Sequence, residues 1–333
     1  MCELFGLNSN TAVRPHELLC RFGAHGGESA DNRDGWGIAW HTASGFEIEK
    51  EPEAAATSRR FGELCAQTRS SLILAHVRSA NPPTARVRAN THPFRRVCCG
   101  HEWVFAHNGI IPDSALQAAP DTIPVCTPMG STDSEHAFCM VLDNIARALS
   151  SPGGLSGEIW LDTLVHTAET LASRGRFNFL MSDGKHLIAY GHDRLHSLEN
   201  ATAACCGGEA SALAIIATEP LTPNAGWRAF APGEMRVYRD GRQIARFLTR
   251  PVGSIDRGSV GREPHWTAQG SSHLESGSGG SKDGADRPFG PASVSSAQAD
   301  REALPAKEDR TVRRSGYQDR PHNLRTRCHE NEE

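Results

Sequence analysis

The chain opens Met1-Cys2-Glu3-Leu4-Phe5-Gly6. Methionine is excised where residue 2 is small, and excision here leaves one residue holding both a thiol and its own α-amine. The amine's ordinary pKa of about 7.7–8.0 lies just below that of a thiol, about 8.5, so a modest environmental shift lets the amine take the thiol proton near neutrality. Cys2 is therefore a candidate nucleophile that brings its own base. The competing reading is a cysteine that falls second by chance. A lipid-modified cysteine is not expected, because no apolar signal segment precedes it.

A thiolate that cleaves amides needs donors for the oxyanion of the tetrahedral intermediate. His107-Asn108-Gly109 could supply two, the Asn108 side-chain amide and the Gly109 backbone N–H, although Asn-Gly is also a common two-residue hairpin turn. Recognition of a free amino acid's head group takes a cation for the carboxylate and an anion for the ammonium. Arg78, closing Ala75-His76-Val77-Arg78, and Asp133, in Thr132-Asp133-Ser134-Glu135, have the right charges. Each has a plainer reading, a solvated strand-end arginine and an acid stabilised by a helix dipole. Asp34-Gly35-Trp36-Gly37 is either a turn with a core tryptophan or a hinged loop whose indole closes over a substrate, which would make Trp36 a binding residue. In Asn90-Thr91-His92-Pro93-Phe94, His92 is either structural or orients the substrate loop.

These residues must be held by the elements around them. Alternation and apolar runs predict strands over residues 3–8, 36–42, 46–50, 72–77 and 103–106, and again over 177–181, 187–190, 213–218 and 235–238. Helical periodicity covers 15–23, 59–67, 132–149 and 155–173, the third opened by a capping box of Thr132 and Glu135. Cys2 leads directly into a strand, and two strand runs end in His76-Val77-Arg78 and His107-Asn108-Gly109. Strands and helices are segregated and no Gly-rich phosphate loop opens a helix, which favours an α+β layered fold.

The 333 residues carry a formal charge of −4, which gives no reason to expect nucleic acid or an anionic membrane as a partner. No apolar run approaches the roughly 18 residues that span a bilayer, so a soluble, cytoplasmic protein is expected. From Pro251 onward Gly, Ser, Asp and Arg dominate, and residues 251–333 read as a disordered, low-complexity tail after a domain of residues 2–250. The ten cysteines could suggest disulfides. Without a secretion signal most read as ordinary thiols, Cys20, Cys65 and Cys139 within apolar helical patterns. Cys98-Cys99-Gly100-His101 matches no zinc spacing, and neither a metal nor another cofactor is expected.

Taken together, the pattern resembles the class II glutamine amidotransferases, in particular a stand-alone bacterial branch related to the amidase of ergothioneine biosynthesis. The resemblance rests on Cys2, Asp34 to Gly37, Arg78, Thr91 to Phe94, His107 to Gly109 and Thr132 to Glu135, with Asn224-Ala225-Gly226-Trp227 and Pro232-Gly233-Glu234 near its end. It implies the four-layer αββα sandwich of N-terminal-nucleophile hydrolases. By the same resemblance Cys2 is the nucleophile, Asn108 and Gly109 form the oxyanion hole, and Arg78 and Asp133 hold the substrate's carboxylate and ammonium. It implies glutamine amide hydrolysis through a γ-glutamyl thioester. Family members that make a product carry a synthase domain, and a tail of this composition cannot be one. The ammonia then goes to a separate acceptor protein, or the substrate is glutamine or a γ-glutamyl amide that is simply hydrolysed. A non-catalytic glutamine sensor and an acylase with another amide substrate remain as alternatives.

Overall fold

The computed structural model describes residues 2–80, 85–116, 123–150, 159–201, 210–223 and 226–250. The expected tail lies outside these residues, as do Asn224 and Ala225. The chain runs β1 (Glu3–Val13), α1 (His16–Ala24), β2 (Trp36–Thr42), β3 (Gly45–Glu51), α2 (Arg59–Gln67), β4 (Ser70–Val77), β5 (Phe94–Cys98) and β6 (His101–Ile110). It continues through α3 (Asp133–Ser150), α4 (Ile159–Ala172), β7 (Arg176–Ser182), β8 (His186–Gly191), β9 (His196–Glu199), β10 (Leu213–Ala217), β11 (Arg228–Ala229), β12 (Glu234–Arg239) and β13 (Arg242–Leu248).

The strands form a seven-stranded sheet in the order β11-β9-β10-β1-β4-β2-β3 and a six-stranded sheet in the order β13-β12-β8-β7-β6-β5. The two-residue period of a strand sends alternate side chains to opposite faces. In β1, Leu4 joins Val104, Ala106, Leu180 and Ile216 in a core between the sheets. Phe5 and Leu7 point the other way, into a core with Leu18, Leu19 and Phe22 of α1 and Phe61 and Leu64 of α2. On the far side of the second sheet, Phe105, Phe177 and Phe179 pack beneath Phe138 and Leu142 of α3 and Leu164 and Leu171 of α4. Three cores between four layers make this an α+β fold of the αββα sandwich type.

Several elements exceed the sequence expectation for physical reasons. β5 carries Arg95 and Arg96 and forms one edge of its sheet, while β13, with five of seven residues exposed, forms the other. Edge strands of this kind show little apolar alternation. β6 runs through Asn108 and Gly109 rather than turning there, pairing Asn108 with Asn178 and Gly109 with Phe177. Cys98-Cys99-Gly100-His101 is the tight β5–β6 hairpin, with Cys99 at φ 58° and Gly100 at φ 77°. Thr132 Oγ1 accepts the Glu135 N–H at 3.2 Å, the expected half of the capping box. The Glu135 carboxylate instead takes the Gly130 N–H and pairs with Arg96.

The reading of Cys139 as an ordinary thiol is corrected. Its helical phase does place it in the core, but Cys126 returns against it and the two form a disulfide with Cα atoms 4.9 Å apart. Four tight hairpins, β2–β3, β5–β6, β7–β8 and β12–β13, turn at the end of the sheets opposite Cys2, using Gly45, Cys99-Gly100, Gly184 and Asp240-Gly241 at positive φ.

Phe105 is fully buried, stacked on Phe138 at 5.0 Å and packed against Phe179 at 5.5 Å. Phe105→Ala should lower the unfolding free energy by about 3–5 kcal/mol in denaturant titrations, the cost of an aromatic cavity. Val97→Thr, at a position 75% exposed, should shift it by no more than about 0.5 kcal/mol.

Candidate active site

Cys2 stands at the head of β1, at the sheet end where β4 and β6 finish. Antiparallel pairing of Glu3 with Val77 brings the residues after β4 alongside it. The Ser79 N–H donates to Cys2 Sγ at 3.3 Å, and the Ser79 carbonyl lies 3.4 Å from the same sulfur. Burial pushes the thiol pKa up, opposed by the Ser79 hydrogen bond and the positive charge of Arg78. A thiol held this way keeps its proton at neutrality, so deprotonation requires a base.

The opposite sheet supplies Asn108. Its side-chain amide donates to the Cys2 carbonyl, and Nδ2 carries a second N–H. In a two-residue hairpin such as β5–β6, the flanking Cys98 and His101 exchange hydrogen bonds, so odd-numbered residues of β6 direct N–H and C=O toward β5. β5 begins at Phe94, opposite Phe105, so the backbone groups of His107 and Gly109 lie beyond its reach. Side chains engage their neighbours on that side: His76 Nε2–H donates to the His107 carbonyl at 3.1 Å, and Ile111 N–H to Asp133 Oδ2 at 2.8 Å. The Gly109 N–H therefore points to the same side as Asp133. A Cβ at Gly109 would sit 1.9 Å from the Arg176 carbonyl, so no side chain fits there.

Arg78 is 3% exposed, and its Nη1 donates to the carbonyls of Asp34 and Ala85 at 3.4 and 3.3 Å. Burial lowers its pKa, while the charges of Cys2, Asp34 and Asp133 pull it back up. The Asp34 carboxylate accepts the Ala80 N–H at 2.6 Å and pairs with Arg86 at 2.5 Å. Asp34 thus organises the turn that carries Arg78 and Ser79. Asp133 opens α3, and its Oδ1 accepts the Ser134 N–H at 2.8 Å. Asn90 ties the two sides, donating to the Ala85 carbonyl at 3.0 Å and accepting the Ser131 N–H at 2.8 Å.

The expectation that Trp36 binds substrate is corrected. Trp36 is fully buried, edge-on to Phe61 at 5.1 Å, with its indole N–H donating to Glu51 at 3.1 Å. The alternation that sends Ile38 under α2 sends Trp36 there too. His92 lies beneath the site, 3% exposed, its ring 4.1 Å from that of His76 and 4.5 Å from that of Phe94. Neither ring nitrogen has a hydrogen-bond partner among the described residues, and burial holds its pKa well below the ordinary value, so the ring is neutral. The chain around it is pinned by Lys50, whose Nζ donates to the Thr91 carbonyl at 2.5 Å and the Pro93 carbonyl at 3.2 Å. Gly37 admits this segment, since a Cβ there would lie 2.1 Å from the His92 carbonyl.

Three roles escaped the sequence reading. Ser79 acts through its backbone and Asp34 through its carboxylate, and only their nearness to Arg78 in the folded chain reveals these roles. Glu3 follows the nucleophile, is 5% exposed, and pairs with Arg194 at 3.3 Å. Burial raises its pKa to about 7. A carboxylate on an inward-facing strand position was the available signal.

The chain matches the family described as "Glutamine amidotransferases class-II" over residues 1–256. It is 31% identical to the putative glutamine amidotransferase YafJ of Escherichia coli, across 73% of this chain and 100% of that protein. The gamma-glutamyl-hercynylcysteine sulfoxide hydrolase of Mycobacterium tuberculosis is 28% identical, across 59% of this chain and 71% of the relative. A solved structure of a predicted glutamine amidotransferase from Pseudomonas aeruginosa aligns with a TM-score of 0.54 at 28% identity, covering 73% of this chain and all of its own. Family match, full-length relatives and fold agree, and the chain belongs to the class II glutamine amidotransferases, enzymes of glutamine amide hydrolysis and transfer.

Proposed function

We propose that residues 2–250 form a catalytic domain that hydrolyses the side-chain amide of glutamine through a γ-glutamyl thioester on Cys2. The observation that carries this reading is the meeting of Cys2 with Asn108 across the two sheets, beside Arg78. After loss of Met1, the Cys2 α-amine takes the thiol proton and the thiolate attacks the amide carbon. The oxyanion receives the second N–H of Asn108 and the N–H of Gly109. Collapse of this intermediate expels ammonia, which leaves with the proton held by the α-ammonium. Water, deprotonated by the same amine, then attacks the thioester, releasing glutamate and restoring the thiol.

Arg78 binds the glutamine carboxylate and Asp133 its ammonium, with His92 and Lys50 supporting the loop between them. Two carbonyls anchor Arg78 at Nη1, which fixes the plane of the guanidinium before substrate arrives. A second reading, hydrolysis of a γ-glutamyl amide on a larger molecule, is favoured by the kinship with the hercynylcysteine sulfoxide hydrolase. Both readings share every step at Cys2 and differ in the leaving amine. Released ammonia passes to solvent or to a separate acceptor protein.

The deciding experiment follows glutamate and amine release over time from glutamine and a panel of γ-glutamyl amides, for the wild type and Cys2→Ala. Turnover that vanishes in the variant is expected; equal rates in both proteins would remove Cys2 from the mechanism, and ligand-induced thermal stabilisation without product would point to a sensor. Intact mass of the active protein should show Met1 absent. Asn108→Ala should lower kcat by about 10²- to 10³-fold as an oxyanion donor, and a loss below about threefold would return Asn108 to a structural role. Arg78→Lys should raise KM for glutamine with a smaller effect on kcat, because a point charge cannot replace a planar fork. An unchanged KM would mean that Arg78 does not hold the carboxylate.

A further inference from the structure

Between its end residues Arg176 and Ser182, strand β7 is apolar except for Asn178, which is fully buried and lies directly opposite Asn108. Its Oδ1 accepts three consecutive backbone N–H groups, from His192 at 2.8 Å, Asp193 at 3.1 Å and Arg194 at 3.2 Å. Its Nδ2 donates to Asp193 Oδ1 at 2.8 Å and to the Asn108 carbonyl at 3.1 Å. The first four bonds shape the loop after β8. The fifth is not required by that loop, and it falls on one particular carbonyl.

That carbonyl belongs to the peptide joining Asn108 to Gly109. Asn108, an even-numbered residue of β6, turns its C=O toward β7, while the N–H at the other end of the same peptide points to the Asp133 side. Added to the strand pairing of Asn108 with Asn178, this donor braces the peptide plane and, through cooperative polarisation, strengthens the N–H as a donor. The loop gathered by Oδ1 also carries Arg194, whose guanidinium reaches Glu3, the residue after the nucleophile. One side chain therefore touches the oxyanion peptide and, through Arg194, the nucleophile strand.

We propose that Asn178 is a positioning residue that orients and polarises the Asn108–Gly109 peptide so that the Gly109 N–H is aimed at the developing oxyanion. The proposal rests on the assignment of Gly109 as an oxyanion donor. It concerns the rate of the covalent step rather than substrate binding, because the head-group residues Arg78 and Asp133 have no hydrogen bond to Asn178 among the described contacts.

Asn178→Asp tests it, since the new carboxylate can still accept the three loop N–H groups and has no N–H to give the Asn108 carbonyl. The double variant N178D/D193N relieves the like-charge contact that the single change makes with Asp193. Steady-state glutaminase kinetics, thermal midpoint and the rate of Cys2 alkylation by iodoacetamide are measured on wild type and both variants. Both folded variants should lose about tenfold or more in kcat while KM for glutamine stays within about twofold, the signature of an interaction made in the transition state. Alkylation, which forms no oxyanion, should proceed at the wild-type rate. Wild-type kcat in either folded variant overturns the proposal while leaving the Cys2 reading intact, and so does a fall in alkylation parallel to kcat, which marks general distortion. Absence of any amide turnover in the wild type overturns that reading and this proposal together.

Discussion

The hydrogen bond from the Asn108 amide to the Cys2 carbonyl joins the two sheets at the nucleophile, at the edge of the apolar core that lies between them. Its existence constrains most of the surrounding structure. β1 must be central in its sheet, so that β4 on one side and β10 on the other hold its first residues. β6 must run past the end of β5, leaving Asn108 and Gly109 clear of edge pairing. α3 must start where β6 ends, so that Asp133 meets the backbone at Ile111. The helical layers supply the burial that keeps these strand ends in register.

The polar side chains beneath the site are deeply buried. His76, His92 and His107 are all buried, and burial holds each below the ordinary histidine pKa, that of His76 at about 3. None of them serves as a proton acceptor at neutrality in the way a surface histidine does. The three rings act as neutral supports for the Thr91–Phe94 segment and for β6, with the His76 tautomer set by its bond to the His107 carbonyl. This agrees with a nucleophile that carries its base in its own backbone.

Much of the fold and part of the site were legible in the chain. Apolar runs mark β4, β7, β8, β10 and β12, and Arg78, Asn108 and Asp133 stood out as candidates by their residue types and their places at strand ends and a helix start, although each also had a plain structural reading. Trp36 was misjudged as a binding residue although the alternation of Trp36, Ile38 and Trp40 already assigned it to the core. Asn108-Gly109 by itself read more readily as a hairpin turn, and only strand pairing with β7 excludes that reading. Asn178 left no local signal, because its partners lie 14 to 16 and 70 residues away in sequence. The Cys126–Cys139 bridge depends on where a loop returns, which periodicity does not encode.

The four hairpins with positive-φ residues give the sandwich two unlike poles. At the closed pole the turns are short and press against their neighbours: a Cβ at Gly45 would meet Glu102, and one at Gly184 would meet His41. At the open pole the connections are longer and carry all the candidate chemistry. Strands of six or seven residues, at about 3.3 Å each, separate the poles by roughly 20 Å. Such a separation insulates the chemistry from changes in chain length at the turns. Variation in substrate can be accommodated at the open pole without renegotiating any turn.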